Sequence, residues 1–254
     1  MRSVVHIIGT NNATTSKQGD NDMQNFTWHN PTELIFGKDT VKELAPRLKT
    51  DGIKGVLLVF GGKGTFKSGA YAQATDMLNS AGISFSEVND VKSNPLVGKV
   101  REGIQRVKAG GIDAVMPVGG GSVFDTAKAI AAGSLYSGDV WDFYLGKAEP
   151  EKMLPVASVL TIPAAGSEMS ESSVITNEDG DVKVGYSNNL SRPKFAILNP
   201  RRTMTLPPYQ TAAGVTDMMM HTMERYFTKD DDMDFTLIWR RLRCVPSRTP
   251  YSPC

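Results

Sequence analysis

From residue 55 to residue 198 the chain repeats one unit: a short β-rich apolar run, a loop of small residues, then an amphipathic helix. A strand without a polar face must be covered on both sides, and helices placed between successive strands do this in a parallel sheet. Residues 55–60 (Gly-Val-Leu-Leu-Val-Phe) are the purest such run, and 83–88, 114–118, 156–162 and 195–198 are the further strands expected. Helices are expected over 70–79, over 123–132, and from Asn94-Pro95 to residue 108 with Val97, Val100, Ile104 and Val107 at helical spacing. The fold class is therefore α/β, a doubly wound Rossmann-like domain with right-handed crossovers.

The flanks read differently. Residues 1–22 are rich in Asn, Thr, Ser, Gly and Asp and are expected to be a flexible extension, with Met23 opening the domain proper over 23–205. From Pro207 a helix rich in Ala and Met runs to about residue 227, the expected first helix of a separate helical unit covering 206–254. After residue 237 the chain carries Pro246, Pro250 and Pro253, through which neither a helix nor a central strand continues.

Composition narrows the function classes. With 28 Lys+Arg against 27 Asp+Glu and no long run of either sign, no broad positive face for nucleic acid is expected. No apolar run approaches the ~20 residues that span a bilayer. The apolar patch at residues 4–8 is too short for a signal peptide's apolar region. The two cysteines, Cys244 and Cys254, both lie in the tail, so a cytoplasmic protein without a disulfide framework is expected.

Two glycine-rich loops sit where phosphates bind in such folds. Gly119-Gly120-Gly121-Ser122 leaves an apolar strand and enters a helix, whose first N–H groups point at an anion. Ser122 is the expected helix cap, with Asp125 three residues on as its capping-box partner. A tight turn and a capped helix without ligand explain three glycines equally well. In Gly61-Gly62-Lys63-Gly64-Thr65-Phe66-Lys67-Ser68-Gly69, the ATPase phosphate loop anchored on Lys67-Ser68 would require glycine where Phe66 stands, so that reading fails. A small, mildly basic loop after an apolar strand remains. Thr161-Ile162-Pro163-Ala164-Ala165-Gly166-Ser167-Glu168 is a third loop of this kind, or a stretch of small residues packed under a helix.

Asp217 and His221 are four residues apart on one helical face. They suit a shared divalent ion, and they suit a hydrogen-bonded pair without one.

These motifs, in this order, resemble the iron-containing (group III) alcohol dehydrogenases. The resemblance rests on Gly-Gly-Gly-Ser-Val-x-Asp-x-Ala-Lys (119–128), Thr-x-Pro-Ala-x-Gly-Ser-Glu (161–168), Leu-Asn-Pro…Thr-Leu-Pro-Pro (198–208) and Ala-Gly-Val-x-Asp-x-x-x-His-x-x-Glu (213–224). The run from residue 26 to 236 looks like the family's NADPH-dependent butanol dehydrogenase branch. The resemblance implies a dinucleotide-binding domain followed by an all-helical domain, with the metal in the cleft between them. It implies that Gly120, Gly121, Ser122 and Asp125 hold the pyrophosphate and a ribose, and that Thr161 and Lys183 line the adenine and nicotinamide-ribose path. Asp217 and His221 become the first two of four ligands to Fe²⁺, with Zn²⁺ as the other candidate ion.

NAD-preferring relatives carry an acidic residue after the strand that Phe60 closes. This chain has Gly62, Gly64, Thr65 and Lys67 there, which implies NADP(H) ahead of NAD(H). The implied substrate is a small alcohol or aldehyde, the metal polarises its oxygen, and no side chain is assigned as a general acid. The resemblance allows a homodimer. The departure is downstream: the family's third and fourth ligands are histidines, and no histidine follows His221. The start of the helical domain is therefore expected without its remainder, and two readings compete: a hydride-transferring oxidoreductase, and a remnant that at most binds nucleotide. Ala165 stands where a hydroxyl residue is common.

Overall fold

The computed structural model describes residues 29–227; the extension 1–22, Met23 and the tail after 237 lie outside them. In chain order the elements are β1 (Glu33–Phe36), α1 (Leu44–Thr50), β2 (Gly55–Gly61), α2 (Lys63–Lys67), α3 (Ala70–Ala81), β3 (Ser84–Val91), α4 (Val97–Lys108) and β4 (Ala114–Gly119). Then follow α5 (Gly121–Ser134), α6 (Trp141–Tyr144), β5 (Ala157–Leu160), β6 (Ser172–Asn177), β7 (Val182–Ser187), β8 (Phe195–Leu198) and α7 (Pro208–Tyr226).

Six strands form one sheet in the order β1-β8-β5-β4-β2-β3, and every pairing in it is parallel. The expected doubly wound α/β domain is what forms. The apolar runs explain it: Val56, Leu58 and Phe60 of β2 pack on α1 and α3, while Leu57 and Val59 pack on α4 and α5. All five are at most 2% exposed, and each buried side chain of this kind is worth about 1.5–3 kcal/mol. The cover on the second face is tight because Gly103 of α4 meets Ile130 of α5. A Cβ on that glycine would sit 2.3 Å from the Ile130 Cδ1.

The strand order reverses between β2 and β4. From β2 the chain adds β3 on one side, then returns to lay β4, β5 and β8 on the other. Parallel sheets leave an open crevice outside the carboxyl ends at such a reversal.

Several boundaries differ from expectation. The helix expected from Asn94 begins at Val97, since Asn94 has φ 55° and lies outside helical space. The expected strand 156–162 forms only over Ala157–Leu160. The helix expected at 123 begins at Gly121. β1, the first helix and the antiparallel β6–β7 hairpin were not expected at all.

Candidate dinucleotide crevice and metal pair

The three small-residue loops meet at the reversal point. Gly119 pairs with Leu160 across β4–β5, and Val118 with Phe60 across β4–β2, so the three strands end together. The Thr161 N–H donates to the Gly119 carbonyl at 2.9 Å and ties the third loop to the glycine turn. A Cβ on Gly121 would lie 3.0 Å from the Ala165 Cβ, so that loop forms one wall of the turn. Gly62 and Gly64 on the other side face open space: a Cβ on either would have no neighbour within 4 Å.

Helix α5 starts at this floor, with Gly120 as its cap residue. Fourteen residues of aligned peptide dipoles and the unpaired N–H groups of the first turn favour an anion there. The expected capping box does not form. Ser122 lies inside the first turn, and no side chain caps the helix. Asp125 turns inward instead: its carboxylate accepts from the Ser167 hydroxyl at 3.3 Å and from the Val174 N–H. Burial pushes the Asp125 carboxyl up to about 6, partly opposed by the Lys128 ammonium, the Val174 N–H, the Ser167 hydroxyl and Lys183.

Between the loop after β3 and the β6–β7 hairpin, a cleft of about 500 Å³ is lined by Lys92, Ser93, Asn94, Leu96, Thr176, Asp181 and Lys183. The Lys183 Nζ donates to the Asn94 Oδ1 at 2.7 Å, joining β7 to the loop after β3. Asn94 thus lines the cleft and holds Lys183, although in the sequence it stood only as a helix opener. Its signal was the Asn-Pro step itself, because Asn tolerates positive φ better than other residues. Gly62, Gly64 and Lys67 are exposed as expected. Thr65 is only 6% exposed within the short helix α2 that residues 63–67 form, so the hydroxyl donor expected there is not open.

Asp217 and His221 do come together, with the imidazole Nδ1 at 3.4 Å from the carboxylate Oδ2. The same Nδ1 lies 2.9 Å from the Asp217 main-chain oxygen, so the ring leans back on its own helix. Both side chains are about three-fifths exposed (63% and 60%), on a helix whose Met218, Met219 and Met220 are also exposed. No group of three or more His, Cys, Asp or Glu side chains suited to a metal occurs among the described residues. A complete ion site needs about four ligands, or three and a water. The pair does not meet that requirement.

A family model for iron-containing alcohol dehydrogenases matches residues 31–200. This chain belongs to the iron-containing alcohol dehydrogenase family. It is 48% identical over 205 residues to a protein of Bacillus subtilis named probable NADH-dependent butanol dehydrogenase 1, covering 81% of this chain and 53% of that protein. It is 34% identical over 213 residues to the NADPH-dependent aldehyde reductase YqhD of Escherichia coli, covering 83% and 54%. Among solved structures, NADH-dependent butanol dehydrogenase A of Thermotoga maritima superposes with a TM-score of 0.79 at 44% identity, over 85% of this chain and 54% of that one. The chain spans about half the length of the curated relatives it matches. Both dinucleotides are represented in the names of these iron-type alcohol dehydrogenases. No helix among the described residues is long and apolar enough to cross a membrane.

Proposed function

We propose that this member of the iron-containing alcohol dehydrogenases uses the crevice between β2 and β4 to bind a nicotinamide dinucleotide, NADP(H) ahead of NAD(H). The observation that carries this is the meeting of three small-residue strand ends around one helix N-terminus. Gly120, Gly121 and Ser122 would take the pyrophosphate on their N–H groups, Asp125 would accept from a ribose hydroxyl, and Thr161 and Lys183 would border the rest of the path. When bound, a nicotinamide dinucleotide would supply hydride to an aldehyde carbon or take it from a small primary alcohol. The residues of this chain bind and orient the dinucleotide, and no side chain is assigned a proton transfer. Asp217 and His221 are the family's first two metal positions here, and they offer a divalent ion two donors. With those two donors alone, residues 29–227 favour nucleotide binding without appreciable metal-dependent turnover. The crevice belongs to the dinucleotide domain, residues 23–205 in this reading, and the pair to the segment 206–254.

The NADP(H) preference rests on the loop after Phe60. Residues 61–69 contain no carboxylate, and Lys63 and Lys67 are exposed there. Calorimetric titration with both dinucleotides tests it, and tighter binding of NAD(H) would overturn it. Lys67→Ala is expected to weaken NADP(H) selectively, since a charge-assisted contact to the 2′-phosphate contributes about 1.5–3 kcal/mol.

Asp125 makes the binding pH-dependent. Its carboxyl, raised to about 6, accepts a ribose hydroxyl far more strongly when ionised, because the bond is then charge-assisted. NAD⁺ affinity, followed without the complication of a titrating 2′-phosphate, is therefore expected to be full at about pH 7.5 and to fall as pH drops through about 6. Asp125→Asn should bind more weakly and with a flat profile from about pH 5 to 7.5; a sloping profile like that of the parent protein would remove Asp125 from the role.

A further inference from the structure

We propose that Lys128, buried under the crevice, is a positioning residue that holds the 161–172 connection in place as the second wall of the glycine turn. This deepens the dinucleotide reading above and rests on it.

Lys128 sits mid-way along α5 and is 0% exposed. A buried ammonium is costly unless all three of its donors are paired. Here they are: Nζ donates to the Ser167 hydroxyl at 2.9 Å, the Ser170 carbonyl at 2.8 Å and the Ser172 carbonyl at 3.0 Å. All three partners belong to the stretch between β5 and the first residue of β6, which has no helix or strand to fix it. The stretch is tied at its start by Thr161 to Gly119; at its far end Asn30 and Arg192 hold the Met169 carbonyl and Arg192 pairs with Glu171 from outside, while Lys128 is the tie that comes from the helix carrying the glycine turn. Between the Thr161 and Lys128 anchors lies Ala165, the residue that closes on Gly121.

The same lysine reaches Asp125 through a relay. Ser167 accepts from Lys128 and donates to the Asp125 carboxylate at 3.3 Å, so this cation acts on both the loop and the carboxylate. Ser173 of β6 adds a second tie, donating to the Asp125 carbonyl at 2.8 Å while it shares a 2.7 Å hydrogen bond with Tyr144. The charged groups around Lys128 are Asp125 on its own helix, Glu168 and Glu171 on the loop, and Arg192 after β7. Those around Asp125 are Lys128 and, from β7, Lys183, with the Tyr144 phenol also near. Burial brings the Lys128 ammonium down to about 8, so it remains mostly charged at neutral pH. A methionine would fill the same space without a desolvation cost, but it would hold no carbonyl.

The test compares the full chain with Lys128→Met by amide hydrogen exchange without nucleotide, and by NAD⁺ titration across pH. In the variant, amides over 164–172 should lose protection by about tenfold or more while β2, β4 and α5 keep theirs. NAD⁺ should bind about tenfold or more weakly at about pH 7.5, and its acid midpoint should move upward because Asp125 loses a nearby cation. Unchanged loop protection, or an unchanged acid midpoint, would overturn the proposal. A loss of protection spread evenly over the sheet would also do so, as the mark of a merely structural lysine. Should Lys128→Met fail to fold, Ser167→Ala cuts only the relay and must raise the acid midpoint in the same direction; an unmoved midpoint there overturns the proposal as well. If the parent protein binds no NAD⁺, the dinucleotide reading falls, and the exchange comparison still decides whether Lys128 holds the loop.

Discussion

Gly121→Val is expected to lower dinucleotide affinity by about 100-fold or more, because it forfeits roughly two charge-assisted contacts of about 1.5–3 kcal/mol each at the pyrophosphate. Gly121 is the first residue of α5, and its φ lies outside the left-handed region, so an L side chain is tolerated by the backbone. What it lacks is room. The Cβ alone would stand 3.0 Å from Ala165, so that loop must yield by a few tenths of an ångström. The two further methyls of valine must then project into the crevice where the phosphates approach. Circular dichroism and the melting transition should remain close to those of the parent protein, while calorimetry with NADPH shows no heat of binding. A folded variant with unchanged affinity would move the phosphates elsewhere.

Reductase activity is the second large effect, and its expected size is near zero. With butanal and NADPH, the full chain should turn over below about 0.01 s⁻¹, whether Fe²⁺ or Zn²⁺ is supplied, against roughly 1–1,000 s⁻¹ for ordinary enzymes. Asp217 and His221 provide two donors on an exposed helix, and no group of three or more metal-suited side chains occurs among the described residues. Complete structural zinc sites reach about 10–16 kcal/mol, and two donors alone supply only a part of that. His221→Ala should therefore leave the background rate as it was. Turnover above about 1 s⁻¹ that disappears in His221→Ala would show the pair to be a competent site.

The readability of the sequence followed burial. β2, β4 and β8 were legible because strands covered on both faces are apolar at every position, and the 195–198 run matches β8 residue for residue. β1 escaped because Glu33, Leu34 and Phe36 are exposed on an edge strand that owes its existence to pairing with Phe195–Leu198. The first helix carries Pro46 near its start, a position where proline is tolerated but which reads as a break. The β6–β7 hairpin is polar, and part of what holds it is distant: Tyr144 bonds Ser173, and Lys128 bonds the Ser172 carbonyl. Asp125 shows the same limit at the site. Its spacing from Ser122 suited a local capping box, yet partners 42 and 49 residues downstream, Ser167 and Val174, claim the carboxylate. The glycine turns were visible from spacing. The lysine beneath them was visible only as the last letter of a motif, because its acceptors are mostly main-chain carbonyls that no sequence pattern marks.

The dinucleotide is expected to lie across the carboxyl ends of β2, β4 and β5, on the first turn of α5. Amide chemical-shift mapping during an NADPH titration tests that placement most directly. Saturable shifts are expected at Gly62, Gly64, Gly120, Gly121, Ser122 and Thr161, with a smaller response at Lys183 and little at α7. Shifts confined to α7 or to the opposite ends of the strands, with the glycine turn silent, would contradict it.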